Sequence, residues 1–552
     1  MLLLKNNVLL LSAYHYYVDM KSMDAQTLPD DINLCHTLIK ELLEAIGQHE
    51  KKIGRLQHTI EQLLRQQYGR KSERLEDIDP ALLLPFIRDY LKELVELSKE
   101  NQANDNPVKE AVQEEITYTR NKPRRKKLPE DLPRETIEYD LDDSEKVCTC
   151  CGEQMERIGA EKSEQLDYIP ASLRVVEHVR FKYACKHCEQ KVVTADKDRQ
   201  PIEKGLPAAG LLAHVVVSKY VDHLPLYRLE GIFRRHDIDI KRSTMCGWAA
   251  SCADLLEPLY NLMKKEVLQS KIINTDDTPV RVQDKNLDKK TRTGRLWIYC
   301  GDQSHPYNVY DYTPDRSRAG PELFLRDYLQ GYLQADAYAG YDFIFDDPAR
   351  KVIELLCWAH ARRYFYDARS SSPQLSHTAI AWIRLLYEVE KEIRDLSAAQ
   401  KKAVRQDRSA VILKDFKKWL DEIPFEQALP QSPVRQAISY ALSGWDALCR
   451  YTEDGDFSID NNVAEQLLRP IAVGRKNWMF FGSDNGGRTA AILFTIAQSA
   501  KRHGLDPFAY LRDVFQRISA HPAKRLSELL PDQWKTPEHD AADSAPAQTG
   551  DT

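Results

Sequence analysis

Apolar residues recur every seven positions near the start of the chain. Over residues 32–66, two positions of this heptad repeat form a continuous stripe. The first position holds Ile32, Ile39, Ile46, Ile53 and Ile60, and the second holds Cys35, Leu42, His49, Leu56 and Leu63. Isoleucine at the first position with leucine at the second favours a parallel two-stranded coiled coil. We therefore predict a coiled-coil dimerisation region over 31–100, which includes a second helix over 81–99. An amphipathic helix packed within its own chain is the alternative.

The pattern stays helical between residues 201 and 268. Three apolar runs with helical spacing, separated by short turns, predict three helices, the third of which Ser243 can cap. This spacing permits a helix-turn-helix DNA-binding region, in which Lys241 and Arg242 would lie beside the DNA backbone. Helix pairs with short turns are common, so this pattern alone does not define a DNA reader.

From Lys271 the pattern changes to strands. Five successive runs rich in β-branched and aromatic residues predict five strands, and the last of them leads into a helix. Asp276 ends the first strand and Asp336 ends the fourth. Residues 370–450 return to helical spacing and contain five core candidates, Trp382, Leu386, Trp419, Leu420 and Trp445.

Residues 457–475 predict a short helix that carries one acid, Glu465. Ser458 or Asp460 can cap this helix, and Pro470 limits its length. Its apolar stripe consists of Val463, Ala464, Leu467 and Leu468. A second face carries Asn461, Glu465 and Arg469, which lie four residues apart. A surface ion pair is the ordinary interpretation of Glu465, but the two acids at strand ends upstream favour a shared site.

Composition indicates the class of protein and its cellular compartment. The chain has 552 residues, 42% hydrophobic and 29% charged, which is typical of a soluble protein with about three or four domains. Its net charge of −6 means that any surface for nucleic acid must be local. Residues 1–30 have apolar runs too short to span a bilayer and no signal-cleavage site, so we expect a non-native or disordered start. We predict a cytoplasmic protein without membrane contact.

The segment 101–140 is polar, contains proline and is locally basic. Six cations lie within eight positions: Arg120, Lys122, Arg124, Arg125, Lys126 and Lys127. This is either a solvated linker or an arm that neutralises DNA phosphates and releases their counterions. In the second interpretation the last four of these residues are candidate DNA contacts.

Two Cys-x-x-Cys pairs within residues 141–200 indicate a metal. Cys148 and Cys151 form the first pair, Cys185 and Cys188 form the second, and 33 residues separate the pairs. Each pair aims two thiolates at one ion, and four thiolates close a tetrahedral site for structural Zn²⁺. We predict a zinc-ribbon-like domain; four neutral thiols in a reduced core are the alternative.

The three acids fit a known arrangement for phosphoryl transfer. A five-stranded mixed sheet with acids at the ends of its first and fourth strands, and a third acid on a later helix, is the layout of a ribonuclease H-like fold. Converging carboxylates repel one another unless cations lie between them, and two Mg²⁺ or Mn²⁺ ions about 3.5–4 Å apart would hold the attacking and leaving oxygens.

The predicted fold class is therefore α+β and multidomain. Its order is an N-terminal coiled-coil helix, a zinc-ribbon-like domain, a helical DNA-binding segment and a ribonuclease H-like α/β catalytic core with a helical insertion. The core would occupy 269–369 and 451–520, with the insertion at 370–450 and a C-terminal tail at 521–552.

Longer motifs point to one family. They are YGRKSERL, LAHVVVSKYVDHLPLYR, TDDTPV, LQADAYAGYD, CWAHARRYF and IDNNVAEQLLRPIAVGRKNWMFFGS. Together with the paired cysteines, they resemble the transposases of the insertion sequence 66 family, over about residues 30–535. The resemblance implies a DDE transposase that acts on double-stranded DNA at the ends of its element and at the target. It also implies small accessory proteins from the same element.

Carried over to this sequence, the resemblance implies that Asp276, Asp336 and Glu465 are the catalytic, metal-binding acids. The family usually has Asp-Glu-Thr-Pro where this chain has Asp276-Asp277-Thr278-Pro279, so Asp277 is an alternative to Asp276. Strand alternation lets only one of the two face the metals. The DNA-contact candidates near the acids are His360, Arg362, Arg363, Arg469, Arg475 and Lys476, and the alternative for His360 is a histidine at the edge of the core. Trp478 would either stack on an unpaired base or lie in the core.

Other functions stay open. A zinc-finger regulator that binds DNA without cutting it, or an inactive transposase, would use the same coil, arm and cysteines. That function leaves the three acids unexplained, because carboxylates facing DNA phosphates oppose binding in the absence of metal. A structure-selective nuclease with the same core would give cleaved products only, whereas a transposase also gives joined products.

Overall fold

A computed structural model describes residues 173–184, 192–194, 199–203 and 205–535, apart from 285, 289, 425–427, 429 and 430, together with helical positions 36, 39, 40, 43–47 and 52. The chain divides into two compact units, Ser98–Lys197 and the remainder. Several predicted features lie outside the described residues: the helix at 81–99, the arm residues Arg124, Arg125, Lys126 and Lys127, and the cysteines Cys148, Cys151, Cys185 and Cys188.

In the unit Ser98–Lys197 the described secondary structure is a small antiparallel hairpin. Strand β1, Lys182–Ala184, pairs with strand β2, Val192–Thr194, so that Lys182 is opposite Thr194. The second predicted cysteine pair falls in the connection between these strands.

A five-stranded mixed sheet organises the larger unit. Its strands are β3 (Ile272–Gln283), β4 (Thr291–Cys300), β5 (Asn308–Thr313), β6 (Gln330–Gln334) and β7 (Lys351–Leu355). Their order is β5-β4-β3-β6-β7, in which β3, β4 and β5 are antiparallel and β6 and β7 run parallel to β3. The five predicted strands are confirmed, and the described part of the chain is a mixed α+β structure.

Helices surround the sheet. Before it lie α1 (Ala209–Tyr220), α2 (Leu226–Arg234) and α3 (Arg242–Val267); between and after the strands lie α4 (Ala319–Phe324), α5 (Asp342–Phe345), α6 (Trp358–Asp367), α7 (Pro373–Glu392), α8 (Ala398–Val404), α9 (Ala410–Asp421), α10 (Pro433–Ser443), α11 (Trp445–Cys449), α12 (Asn462–Trp478), α13 (Asp484–Arg502) and α14 (Pro507–Arg517). The three helices before the sheet were predicted, but α3 begins with Lys241 as its cap residue and not with Ser243. None of the helices within the described residues is long and apolar enough to cross a membrane.

Two apolar clusters hold this unit together. One joins α1–α3 and α12–α14 to the sheet, with Leu256, Trp297 and Tyr310 fully buried. The other packs the helices at 373–449 against β7 and α6, around Trp358 and Phe416. All five predicted core residues of the helical insertion belong to the second cluster: Trp382, Leu386, Leu420 and Trp445 are buried and Trp419 is partly buried.

One buried ion pair ties the insertion to the chain that follows it. A single π-helical turn, Arg405–Ser409, joins α8 to α9. The Arg405 guanidinium, only 3% exposed, pairs with Glu390 at 2.7 Å. It also donates hydrogen bonds to the carbonyls of Tyr451 and Asp454. The chain entering α12 is thereby anchored on the insertion.

Helix α12 differs from its prediction. It begins at Asn462, with Asn461 as its cap residue, and runs through Pro470 to Trp478. The predicted caps Ser458 and Asp460 and the predicted stop at Pro470 are therefore wrong. Proline deprives the carbonyl four residues earlier, that of Gln466, of its helical partner. Gln466 is exposed, so water can satisfy that carbonyl.

The buried face of α12 continues past the proline. Ala464, Leu468, Ile471 and Gly474 are buried, whereas Val463, which was predicted to be buried, is 45% exposed. The Gly-rich stretch after α12 forms the start of α13. Ser483 caps α13 by accepting a hydrogen bond from the Gly486 amide, and the glycines form its first turn. A side chain at Gly487 would overlap the Tyr312 ring.

Residues assigned to the C-terminal tail contribute to the core. Ala523–Leu529 form a 3-10 helix, and Leu529 and Leu530 are buried.

Candidate active site

Strand register brings two of the predicted acids level with each other. Strand β6 pairs with β3 only over Ile272–Asn274, and Asn274 is opposite Gln334. Asp276 and Asp336 each lie two residues further on, just past the end of this parallel ladder. Asp276 was predicted to end its strand. It lies instead in the middle of β3, which continues along β4 to Gln283. What ends near Asp276 is the pairing with β6, and the open edge beyond it makes room for α12.

A buried network of amides positions the third acid. Asn461 is fully buried; its side-chain amide donates to the Thr275 carbonyl at 2.8 Å and its oxygen accepts from Asn274 at 3.1 Å. Asn274 also donates to Gln334 at 2.8 Å. This network joins β3, β6 and the start of α12, so Glu465, one turn into the helix, lies over the acids of the sheet. Asn461 was predicted to share a helix face with Glu465, whereas Asn274 and Gln334 were not predicted, and only their position next to the acids could have indicated them.

Helix α6 presents His360 and Arg363 to Glu465. The Nε2 atom of His360 lies 3.7 Å from Glu465 Oε1, and an Arg363 nitrogen lies 3.9 Å from Oε2. Among the described residues, none donates a hydrogen bond to Glu465 Oε1, which is buried. Arg362, on the same helix, is not among the residues that line the pocket of Asp276 and Glu465. Its charge acts on Tyr387, whose hydroxyl donates to Asp460.

Asp276 and Glu465 line an open pocket of about 580 Å³, and Asp336 lies outside its lining. Its wall includes Asp276, Thr278, His360, Glu465 and Arg469. Burial, followed by the charge of Asp336, raises the pKa of Asp276 to about 7. Burial also raises the pKa of Asp336 to about 6, although the nearby Arg316 guanidinium lowers it. Burial is the main cause of both raised pKa values, and repulsion from neighbouring carboxylates adds to it.

Asp277, the neighbour of Asp276, makes different contacts. Its side chain is 2% exposed and pairs with two guanidinium groups. Arg295 donates to one oxygen and Arg316 to the other, each pair at 2.8 Å. Arg316 also approaches Asp336 at 3.5 Å. Neither arginine was predicted from the sequence. Because both oxygens of Asp277 are paired with arginines, Asp276 remains the better candidate for a metal ligand.

The outer face of α12 leads away from the pocket. Its exposed residues recur every three or four positions: Asn462, Gln466, Arg469, Val473 and Lys476. Residues at this spacing share one helix face. Among the predicted DNA contacts, Arg469 and Lys476 therefore lie on an accessible surface that begins at the acids.

Two other candidates on α12 have structural partners. Arg475 donates to the Thr278 hydroxyl at 2.8 Å and to the Pro279 carbonyl at 2.6 Å, on the open edge of β3. Trp478 stacks on Phe481 with ring centroids 4.7 Å apart and packs against the core. Of its two interpretations, the structure agrees with the core residue. Lys241 and Arg242, at the start of α3, are both exposed.

The acids do not form a closed metal site as they stand. In the part of the chain that the structure describes, no group of three or more His, Cys, Asp or Glu side chains is arranged to hold an ion. The three acids influence one another's charge, but Arg316 occupies the space beside Asp336.

Comparison with known protein families defines the class. Residues 204–489 match the model of the Transposase IS66 family, and this range contains Asp276, Asp336 and Glu465. Residues 145–189 match the zinc-finger binding domain of transposase IS66, 495–531 match the IS66 C-terminal element, and 55–137 match a model described as Transposase C of IS166 homeodomain. The protein is a transposase of an insertion sequence, and DNA is its partner.

Whole-length relatives agree with these matches. The uncharacterized protein y4hP of Sinorhizobium fredii (strain NBRC 101917 / NGR234) is 32% identical over 505 residues, which cover 87% of this chain and 88% of the relative. The uncharacterized protein y4jD of the same organism is 32% identical over 512 residues, covering 90% and 98%. The chain belongs to the IS66 transposase family.

Proposed function

We propose that this transposase acts by a metal-dependent DDE mechanism, with Asp276, Asp336 and Glu465 as its catalytic acids. The observation that carries the proposal is the level register of Asp276 and Asp336 at the end of the β3–β6 ladder, with Glu465 held above them. The sheet order, with three antiparallel strands followed by two parallel ones, supports a ribonuclease H-like core.

The donors present fit Mg²⁺ or Mn²⁺. Three carboxylates offer only oxygen, the ligand that these hard cations prefer. Within the described part of the chain the buried Glu465 Oε1 accepts no hydrogen bond, and burial together with repulsion from Asp336 raises the pKa of Asp276. A bound cation would give this oxygen a partner and would reduce the repulsion that acts on Asp276. Two ions bound there would lower the pKa of the attacking hydroxyl and neutralise charge on the phosphate.

The protein's own residues then have distinct tasks. The three acids hold the ions, the Asn274–Gln334–Asn461 network fixes Glu465 relative to the sheet, and His360 and Arg363 set the charge around Glu465. Water first hydrolyses a phosphodiester at the element's end and releases a 3′-hydroxyl. That hydroxyl then attacks a target phosphodiester, and the 3′-oxygen of the target strand leaves.

A strand-transfer assay tests this function. Purified full-length protein, incubated with Mg²⁺, target plasmid and duplexes copied from the DNA that flanks its gene, should give both cleaved ends and joined products. Cleaved ends without joined products would instead indicate a nuclease. Binding to the same duplexes with neither product would indicate a regulator or an inactive transposase.

The exposed face of α12 is the best-supported DNA surface near the acids. Arg469→Glu and Lys476→Glu should weaken binding to duplex DNA, because each removes one phosphate contact. For each variant the slope of log affinity against log salt should fall in magnitude by about 1. Fluorescence anisotropy over a salt series measures this slope. Lys418→Glu, at an exposed position of α9, is the matched control. An equal loss of DNA affinity in that variant would argue against a DNA-binding surface confined to α12.

Further parts of the proposal concern other regions. The match to a zinc-finger model supports structural Zn²⁺ held by Cys148, Cys151, Cys185 and Cys188. A homodimer through residues 31–100 is supported by Ile39 and Ile46, two predicted coil positions that are 52% and 53% exposed. We also propose that DNA contacts Lys241 and Arg242 at a helix N-terminus and the basic arm at 124–127. The proposal further includes accessory proteins of the same element and a cytoplasmic, nucleoid-associated location.

A further inference from the structure

Arg316 lies where a cation is needed between acids. It belongs to the loop between β5 and α4, and its side chain is 38% exposed. Two of its nitrogens, Nε and Nη2, lie 2.9 and 2.8 Å from Asp277 Oδ1. Nη2 also lies 3.5 Å from Asp336 Oδ2. One guanidinium therefore bridges Asp277 and a proposed metal ligand.

The two contacts of Arg316 differ in strength. Asp277 is buried, and Arg316 reaches it with two nitrogens, whereas Asp336 is 27% exposed and receives one longer contact. The Arg316 guanidinium also stacks over the Tyr338 ring at 4.2 Å, and the Tyr338 hydroxyl donates to the Arg316 carbonyl. The arginine is thus held firmly on the Asp277 side and loosely on the Asp336 side.

Within the described residues, Arg316 makes the one ion pair recorded for Asp336. A carboxylate that neutralises a guanidinium is less available to a divalent ion, because the guanidinium and the ion compete for the same carboxylate oxygens.

We propose that Arg316 is a positioning residue that competes with the metal for Asp336. In the metal-free protein its guanidinium holds Asp336 toward Asp277. When a divalent ion binds, Asp336 exchanges this pair for the ion, and Arg316 remains on Asp277, available to a DNA phosphate. No covalent bond changes in this exchange. The inference rests on the proposed function, since it assumes that Asp336 binds metal.

Mn²⁺ binding to the metal-free, full-length protein tests the competition, measured by the loss of the free Mn²⁺ signal in electron paramagnetic resonance. Arg316→Gln should bind Mn²⁺ on the order of tenfold more tightly than the wild type, within the usual range of coupling between two ligands of one site. Arg316→Lys, which keeps the charge, should stay near the wild-type affinity. Arg318→Gln is the control, because Arg318 lies in the same loop, is 57% exposed and pairs with Glu322.

Two outcomes would separate the competing explanations. If Asp336→Asn weakens Mn²⁺ binding but a folded Arg316→Gln variant binds no more tightly than the wild type, the role of Arg316 is wrong and the metal site stands. If Asp336→Asn leaves Mn²⁺ affinity unchanged, the proposed metal site itself is wrong. Circular dichroism establishes that each variant is folded, and an unfolded Arg316→Gln would leave Arg316→Met as the charge-removing variant for the same comparison.

Discussion

Replacement of Asp336 with asparagine is expected to reduce cleavage of the element's ends by more than about 100-fold, while binding to those ends remains largely intact. The reason is that Asp336 would be a direct metal ligand, and even the partners of metal ligands typically cost about 10–100-fold when they are changed. Asparagine keeps the size of the side chain but removes the charge that attracts the ion. Cleavage of labelled duplexes in Mg²⁺ and a gel-shift titration measure the two quantities.

Asp276→Asn and Glu465→Gln should behave in the same way. Asp421→Asn, on the exposed surface of α9, should cleave as the wild type does. Asp277→Asn offers a further contrast, because Asp277 is bound by Arg295 and Arg316 and its loss should first lower thermal stability. Cleavage by Asp336→Asn at the wild-type rate in Mg²⁺ would contradict the proposed role.

Asp276→Asn is also expected to stabilise the metal-free protein at alkaline pH. Burial raises the pKa of Asp276 from 3.8 to about 7. Between these two values the unfolded chain has released a proton that the folded protein retains, so the free energy of unfolding falls as the pH rises. The loss is complete above about pH 7. Asparagine has no such proton, and at pH 8 the variant should gain about 1–2 kcal/mol, or a few degrees in melting temperature.

Differential scanning fluorimetry at pH 4 and pH 8 checks this expectation. The difference between variant and wild type should be much smaller at pH 4, because the folded protein keeps the proton and the unfolded chain has released it in only about half of the molecules. Mg²⁺ should raise the melting temperature of the wild type at pH 8 more than that of the variant, since only the wild type keeps all three ligands. A variant that is less stable than the wild type at pH 8 without metal would show that Asp276 makes stabilising contacts as an anion.

Strands and insertion helices could be predicted because their signals are local. The five β-rich runs after Lys271 alternate and end at turns, and the tryptophans of residues 370–450 lie at core spacing. Helix α12 was harder, because a proline normally interrupts a helix. The buried residues Ile471 and Gly474 continue the packing beyond Pro470, and this tertiary contact is not visible in the local pattern.

The candidate site could be predicted only in part. Asp276 and Asp336 stood out because each was predicted to end a strand, and Glu465 stood out as the acid on the polar face of a later helix. Which acids are level with one another depends on the pairing of Asn274 with Gln334, a register that involves residues 60 positions apart in the chain. Arg295 and Arg316 reach Asp277 through folded geometry, without a motif of their own. A single sequence offers no sign of such contacts.

The Arg405 pair has a practical consequence for anyone dissecting this enzyme. Because the Arg405 guanidinium donates to the Tyr451 and Asp454 carbonyls, the helices at 373–449 hold in place the segment that leads to Glu465. Excising them to obtain a smaller catalytic fragment would release that segment. The third acid would then lose its orientation although no residue of the pocket had been altered.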